Sequence, residues 1–254
     1  MLTAITRQVS AALANCELSY IERKPIDLEK ARAQHREYEK LLERCGARVV
    51  SLAAEPDLPD SMFVEDPAMV LDEVAVMLQP GAASRRGEIG SLAKAIGKFR
   101  KLEHVELPGT VEGGDVLAIE RKIYVGKSKR TNAEGIRQLA GILEPLGYEV
   151  RPVGVSGCLH LKSAVTYVGG GTLLANREWL DAEQFSGCEW IDVDPAEAHA
   201  ANALVLRETV VLPASFPRTR ARVEERGFRV TTIDISELQK AESGLTCSCL
   251  LFEA

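Results

Sequence analysis

Five short stretches of this chain each set a polar or reactive residue just ahead of an apolar run. They are Val64-Glu65-Asp66-Pro67, Val111-Glu112-Gly113-Gly114, Leu159-His160-Leu161-Lys162, Ala201-Asn202-Ala203-Leu204 and Thr246-Cys247-Ser248-Cys249. Brought together, they supply carboxylates, one imidazole, one amide and one thiol. A thiolate is a nucleophile, a neighbouring histidine stabilises it and moves protons, and carboxylates favour a cationic substrate. A planar cation held by two carboxylates points to a guanidinium, whose N–H fork matches carboxylate geometry. The chemistry of the set is hydrolysis of a C–N bond in an arginine-like compound. Taken singly, each residue says little: a lone histidine between leucines is more often satisfied in a core or turn, and a buried cysteine is usually packing. Glu65-Asp66-Pro67 and Gly113-Gly114-Asp115 both read as turns. What gives the residues weight is a shared place in a repeat.

Two apolar runs joined by a short polar or glycine turn recur four times: Ala68 to Gln79, Asp115 to Gly126, Ala164 to Ala175 and Ala203 to Leu212. Each reads as a β-hairpin, and the unit returns at intervals of under fifty residues, the span of one supersecondary repeat. Helical spacing follows at least three of them, as in Ile89, Leu92, Ala93 and Ile96, or Ile136, Leu139, Ala140 and Leu143, and more weakly Pro217 to Arg226. Glycine then ends the helix and a further strand begins, at Gly147, at Gly227, and at Gly46 after a helix over 27–44. The unit is ββαβ. Lone strands at the two ends, Ala4 to Val9 and Thr246 to Phe252, are left to pair as a fifth copy. The expected fold is α/β: a five-bladed propeller of ββαβ repeats with pseudo-fivefold symmetry, closed by the N- and C-terminal strands, in one domain over 1–254. A doubly wound sheet is the alternative, but it needs single strands alternating with helices rather than hairpins. Around such an axis the five polar positions converge on one mouth.

The composition agrees with an enzyme acting on a small molecule. Of the 254 residues, 31 are Lys or Arg and 37 are Asp or Glu, for a net charge of −6. That balance, with only 5% aromatic residues, disfavours a nucleic-acid surface, which wants clustered cations and stacking rings. The apolar runs are far shorter than a bilayer span, so no membrane partner is expected. The six cysteines lack paired CxxC spacing, which argues against zinc and for free thiols in a reducing cytoplasm.

The segments Phe63 to Pro67, Pro80 to Glu88, Gly109 to Asp115, Arg130 to Gly135, Leu159 to Lys162 and Gly244 to Cys247 closely resemble the dimethylarginine dimethylaminohydrolase family of guanidine-modifying enzymes, in order and over nearly the whole chain. The resemblance implies the same five-bladed fold, no metal or organic cofactor, and a homodimeric habit. It makes Cys247 the nucleophile and His160 the general acid and base. Glu112 and Asp66 would hold the guanidinium with Glu65 beside them, Asp60 would line the pocket, and Arg85 and Arg130 would clamp the amino acid's carboxylate. Leu18 corresponds to a lid contact and Ala241 to a backbone contact at the amino-acid end. Phe63 and Leu18 are the candidates for an apolar wall around the methylated nitrogen. Cys249, two residues beyond Cys247, would share its face of a strand, as packing or as a redox partner. Arg85 and Arg86, near a helix start, also read as solvated side chains, and Asn202 as a hydrogen-bonded turn residue. The implied reaction converts Nω-methylated arginine to citrulline and a methylamine through a thiouronium on Cys247. The rivals are an arginine deiminase, which uses the same core residues, and a non-catalytic propeller that only binds.

Overall fold

A computed structural model, which describes residues 1–254, forms every expected hairpin and adds one outer strand to each. The first blade holds β1 (Leu2–Arg7), α1 (Leu28–Arg44) and β2 (Arg48–Leu52). The second runs β3 (Ala68–Val70), β4 (Ala75–Met77), α2 (Ile89–Ile96) and β5 (Leu102–His104). The third runs β6 (Val116–Ile119), β7 (Lys122–Lys127), α3 (Ala133–Leu143) and β8 (Glu149–Gly154). The fourth opens with the single turn α4 (Leu161–Ala164) and continues through β9 (Val165–Gly169), β10 (Thr172–Ala175) and β11 (Glu189–Asp192). Two 3₁₀ turns, Arg177–Trp179 and Ala182–Gln184, stand where the other blades carry a helix. The fifth holds β12 (Leu204–Leu206), β13 (Thr209–Pro213), α5 (Pro217–Glu225) and β14 (Arg229–Ile233); α6 (Ser236–Gln239) then leads to β15 (Leu250–Glu253).

The result is a five-bladed α/β propeller of three-stranded sheets. In each sheet the middle strand pairs antiparallel with one neighbour and parallel with the outer one. The chain ends close the ring: β15 lies antiparallel to β1 with Ile5 opposite Leu250, and the Met1 amino group donates to the Ala254 carbonyl at 2.7 Å.

The apolar core lies in the five seams between blades. Alternate residues of each middle strand enter opposite seams, as the period of two demands. Ala4 packs toward the fifth blade and Ile5 toward the second. Ile123 and Val125 face the second blade while Tyr124 faces the fourth, and Leu173 and Leu174 divide likewise between the third and fifth. A strand buried on both faces is continuously apolar, which is why these runs stand out in the sequence. Truncating wholly buried Ile123 to alanine would cost about 2–5 kcal/mol.

Helix starts and stops follow local chemistry. Asp27 accepts the Lys30 N–H at 3.0 Å to cap α1, and Asn132 accepts the Gly135 N–H at 2.8 Å to cap α3. Gly46, Gly147, Gly187 and Gly227 each stand two residues before an outer strand, all with φ between +84° and +86°, a backbone conformation that costs glycine little.

Two strand expectations need correction. The first strand is Leu2–Arg7 rather than Ala4 to Val9. At the other end, Thr246–Ser248 is a 3₁₀ turn and the strand starts only at Leu250. The Thr246 N–H bonds to a side chain, Asn202 Oδ1, at 3.1 Å instead of to a ladder partner. Cys247 therefore sits on a turn, and Cys247 and Cys249 do not share the face of a strand.

Candidate active site

The loops entering the hairpins carry the polar residues to one place. Glu65 and Asp66 precede β3, Glu112 precedes β6, His160 immediately precedes α4, Asn202 precedes β12, and Cys247 lies on the turn before β15. They border a cavity with two lobes. A larger lobe of about 200 Å³ is lined by Glu65, Gly114, Lys162, Asn202, Phe216 and Gly244 among others. A tight lobe of about 30 Å³ is lined by Asp60, Phe63, Asp66, Arg85, Glu112, Arg130 and Ala241. Leu159, His160, Glu242, Ser243 and Cys247 border both lobes, so the thiol and the imidazole stand at the junction.

On the acid–base side, His160 Nε2 lies 2.7 Å from Glu112 Oε2, and Nδ1 lies 4.0 Å from Asp66 Oδ1. Burial opposes a charged imidazole, but the carboxylates of Asp66, Glu112 and Asp115 outweigh it and push His160 up to about 9. Burial likewise opposes charge on Glu112, yet the bond and charge of His160 hold that carboxyl below its usual range. Asp66 is held low by Arg85 and His160 against the same burial. Atoms of Asp66, Glu112 and His160 fall within 4.8 Å of one another, a spacing that suits a cation; Arg85 and the imidazolium already balance the two carboxylates.

Backbone compactness is required here. A Cβ on Gly113 would lie 2.0 Å from the Glu65 carbonyl, and one on Gly114 would lie 2.4 Å from His160 Nδ1. Asp115, next in sequence, is a supporting residue at a position where the sequence alone indicates only a turn. It accepts the Leu161 N–H at 2.9 Å and the Thr131 hydroxyl at 2.7 Å, while Thr131 Oγ1 accepts the Glu112 N–H at 3.1 Å. One buried carboxylate thus ties the histidine's helix to the glutamate's loop.

Arg85 is not a solvated residue at a helix start: it is only 4% exposed. Its guanidinium donates to Asp66, to both oxygens of Glu88 at 3.1 and 2.8 Å, and to the carbonyls of Asp60 and Phe63 at 3.2 and 3.1 Å. Arg130 is less committed, donating to Ser19 Oγ at 2.9 Å with Glu112 3.5 Å away. Asp60 is buried and accepts the Glu17 N–H.

The thiol side is built differently. Cys247 keeps part of its surface accessible, whereas Cys249 is buried. Burial, together with the negative charges of Glu65 and Asp66, pushes the Cys247 thiol up to about 12. Glu65 pairs with Lys162 and accepts the Thr246 hydroxyl at 2.7 Å. Cys249 packs behind the turn, where Tyr38 Oη lies 3.1 Å from its sulfur and donates to the Leu245 carbonyl at 2.7 Å. This is the packing role, reached by a different backbone path from the one expected.

The loop after β1 also departs from expectation. Leu18 packs against the core between the fifth and first blades and borders neither lobe, whereas Tyr20 and Ile21 reach the larger one. The cause is a latch: the Glu242 carboxylate accepts the N–H groups of Ser19 and Tyr20 at 2.7 and 2.9 Å, which turns this stretch of backbone toward the cavity. Glu242 holds φ +58°, an uncommon conformation for a residue with a side chain. Nothing in its sequence context marks it.

A family model described as "N,N dimethylarginine dimethylhydrolase, eukaryotic" matches residues 17–254. The chain belongs to the dimethylarginine dimethylaminohydrolase family. The family member from Pseudomonas aeruginosa is 38% identical over 228 residues, 89% of this chain and 90% of that protein. A crystal structure of a dimethylarginine dimethylaminohydrolase His-to-Gly variant, an adduct with S-methyl-L-thiocitrulline, superposes with a TM-score of 0.95 at 36% identity, covering 99% of this chain and all of the other. A Cys-to-Ser variant of the Pseudomonas aeruginosa enzyme, complexed with citrulline, gives 0.92 at 35% identity over the same shares.

Proposed function

We propose that this family member hydrolyses Nω-methylated arginine, as asymmetric dimethylarginine or monomethylarginine, to citrulline and dimethylamine or methylamine. The observation that carries the reading is the junction itself: one accessible thiol and one carboxylate-held imidazolium face the same small volume, flanked by carboxylates suited to a guanidinium.

In the resting enzyme both groups carry protons at neutral pH. A guanidinium entering between Asp66, Glu112 and Cys247 brings a positive charge to the thiol and favours loss of its proton to solvent. The thiolate attacks the central carbon, forming a C–S bond and a neutral tetrahedral adduct. His160 then donates its proton to the substituted nitrogen, the C–N bond breaks, and the amine leaves behind a thiouronium on Cys247. The imidazole, now neutral, takes a proton from a water as that water's oxygen bonds to the same carbon. Collapse breaks the C–S bond, releases citrulline after loss of a proton, and returns the sulfur as thiolate for reprotonation. Glu112 orients His160 and favours its protonated form.

The tight lobe would receive the amino-acid end. Arg130 offers donors to the α-carboxylate, Asp60 and the Ala241 backbone suit the ammonium, and Arg85 contributes positive charge while its own donors hold Asp66 and Glu88. Glu65 sets the wall beside the thiol. The six unpaired cysteines fit a reducing compartment, the cytoplasm. Purified protein given asymmetric dimethylarginine should form citrulline with an equal amount of dimethylamine, and acid-quenched enzyme should carry the adduct mass on the peptide containing Cys247. Absence of citrulline from every methylated arginine tested overturns the assignment.

A further inference from the structure

Of the five polar positions ahead of the hairpins, four enter the reaction above and Asn202 does not. We infer that Asn202 is a positioning residue that fixes the nucleophile's turn against the histidine's turn. Its Oδ1 accepts the Thr246 N–H at 3.1 Å, and its Nδ2 donates to Thr246 Oγ1 at 3.0 Å and to the Lys162 carbonyl at 3.1 Å. Thr246 adjoins Cys247, and Lys162 lies two residues from His160.

The side chain's orientation is set by its partners, since a backbone N–H needs the oxygen and a backbone carbonyl needs the nitrogen. With Nδ2 donating to its oxygen, the Thr246 hydroxyl hydrogen goes to Glu65 Oε2 at 2.7 Å, and Lys162 pairs with the other oxygen of Glu65. A closed ring of hydrogen bonds thus joins the loops of the second, fourth and fifth blades to the turn that closes the first. The Glu65 N–H adds a bond to the Cys247 carbonyl at 3.3 Å. Gly244 shows how closely the ring is packed: a Cβ there would fall 2.3 Å from Asn202 Cγ.

Asn202, Thr246 and Glu65 are buried, and Lys162 is half-buried against the cavity. Losing the amide leaves the Thr246 N–H and the Lys162 carbonyl unpaired and frees the thiol to shift against the imidazole. A displacement of about 1 Å at a reacting atom costs up to about 100-fold in rate.

The inference rests on Cys247 being the nucleophile. Three variants test it: Asn202→Ala, Thr246→Val, which removes the hydroxyl, and Thr246→Ser, which keeps it. Turnover is expressed per Cys247 thiol titrated with iodoacetamide and located by mass spectrometry. We expect Asn202→Ala to lower kcat by about 10–100-fold with KM within about threefold, Thr246→Val to do likewise, and Thr246→Ser to restore most of the rate. The double variant Asn202→Ala/Thr246→Val should lose little beyond either single one, as for residues acting in one network. Wild-type kcat per titrated thiol in Asn202→Ala, or fully additive losses, would overturn the inference. Should Asn202→Ala not fold, the Thr246 pair decides alone: equal rates for valine and serine overturn it. A wild-type protein that alkylates at Cys247 but turns over no methylarginine would fail the functional assignment; variant-dependent alkylation rates would then still report on the positioning.

Discussion

His160 and Cys247 sit in the same negative field, and the protonation it favours has opposite consequences for their charge. Carboxylates favour the protonated form of each: they outweigh burial to push the imidazole up to about 9, and they add to burial, the larger cause, in pushing the thiol up to about 12. For the imidazole this creates a charge, and the proton it holds is the one that the proposed mechanism gives to the leaving amine. For the thiol it removes one, and the proposed nucleophile rests in its less reactive form. In the proposed mechanism the acid is therefore ready before substrate arrives, whereas the nucleophile waits for a cation. This differs from a resting thiolate–imidazolium pair.

The largest expected effect removes the proposed nucleophile outright. Cys247→Ser should abolish citrulline formation, because a serine hydroxyl in the same field is a far weaker nucleophile, while the fold and substrate binding persist. Retained turnover would dissolve the contrast between the two halves. Next comes the prepared acid: Glu112→Gln removes the charge that holds His160 protonated, and kcat should fall by about 10²–10⁴-fold, the range for losing effective general acid–base catalysis. The pH profile should change with it, the alkaline limb near 9 moving to lower pH.

The thiol half can be sharpened without turnover. The rate of iodoacetamide labelling at Cys247 should keep rising well above pH 9 in the free enzyme, and a bound, unreactive guanidinium should speed labelling at pH 7–8. An opposite charge at this range lowers a pKa by about 1–3 units, hence an acceleration of about 10–1,000-fold wherever the reagent still has access. A plateau below pH 8 without ligand would show a resting thiolate. Stability should follow the histidine. Its folded pKa is raised above the ordinary 6.5, so its contribution is full below about 6.5 and lost as pH rises through 9. The thermal midpoint should drop across that window, and less so in Glu112→Gln.

These contrasts also explain which parts were legible in the sequence. The blades were, because their middle strands are buried on both faces and their glycines recur two residues before an outer strand. The fourth blade was less so, since residues 177–184 form short turns without helical apolar spacing. The convergent residues followed from the repeat register. What escaped depends on contacts between separate segments: the burial of Arg85 against Asp66, the role of Asp115 beneath His160, and the Glu242 latch that turns the loop so that Tyr20 and Ile21, not Leu18, meet the cavity. No local pattern encodes such partners, least of all the Glu242 latch, whose partners lie more than two hundred residues away.

A smaller effect concerns the amino-acid end. Arg130 has donors to spare that Arg85 lacks, so Arg130→Ala should weaken kcat/KM for the amino acid by about 10–100-fold, the worth of hydrogen bonds to a charged group, and barely change it for agmatine, which has no carboxylate. Arg130→Lys should recover only part, because lysine cannot form the planar fork. Equal losses on both compounds would show that Arg130 acts through Glu112 instead.

The smallest expected effect is the preference for methylated over free arginine. Phe63 and Leu18 were the residues expected to form an apolar wall at the substituted nitrogen, but Phe63 lies in the tight, charged lobe and Leu18 borders neither. The larger lobe, on the Gly114 and Lys162 side of the thiol, instead presents Phe216, Pro213 and Ile21. If the methyl groups point there, free arginine leaves N–H donors facing apolar surface, at about 1–3 kcal/mol for an unsatisfied buried group, and a methyl group's own contacts fall in the same range. The preference in kcat/KM should then be at least about tenfold. Phe216→Ala should shrink it, while Leu18→Ala should leave it unchanged. A preference for free arginine in the wild-type enzyme would move the protein to the deiminases and keep the thiol chemistry. An unchanged preference in Phe216→Ala would return the wall to Phe63 and put the methyl groups in the tight lobe.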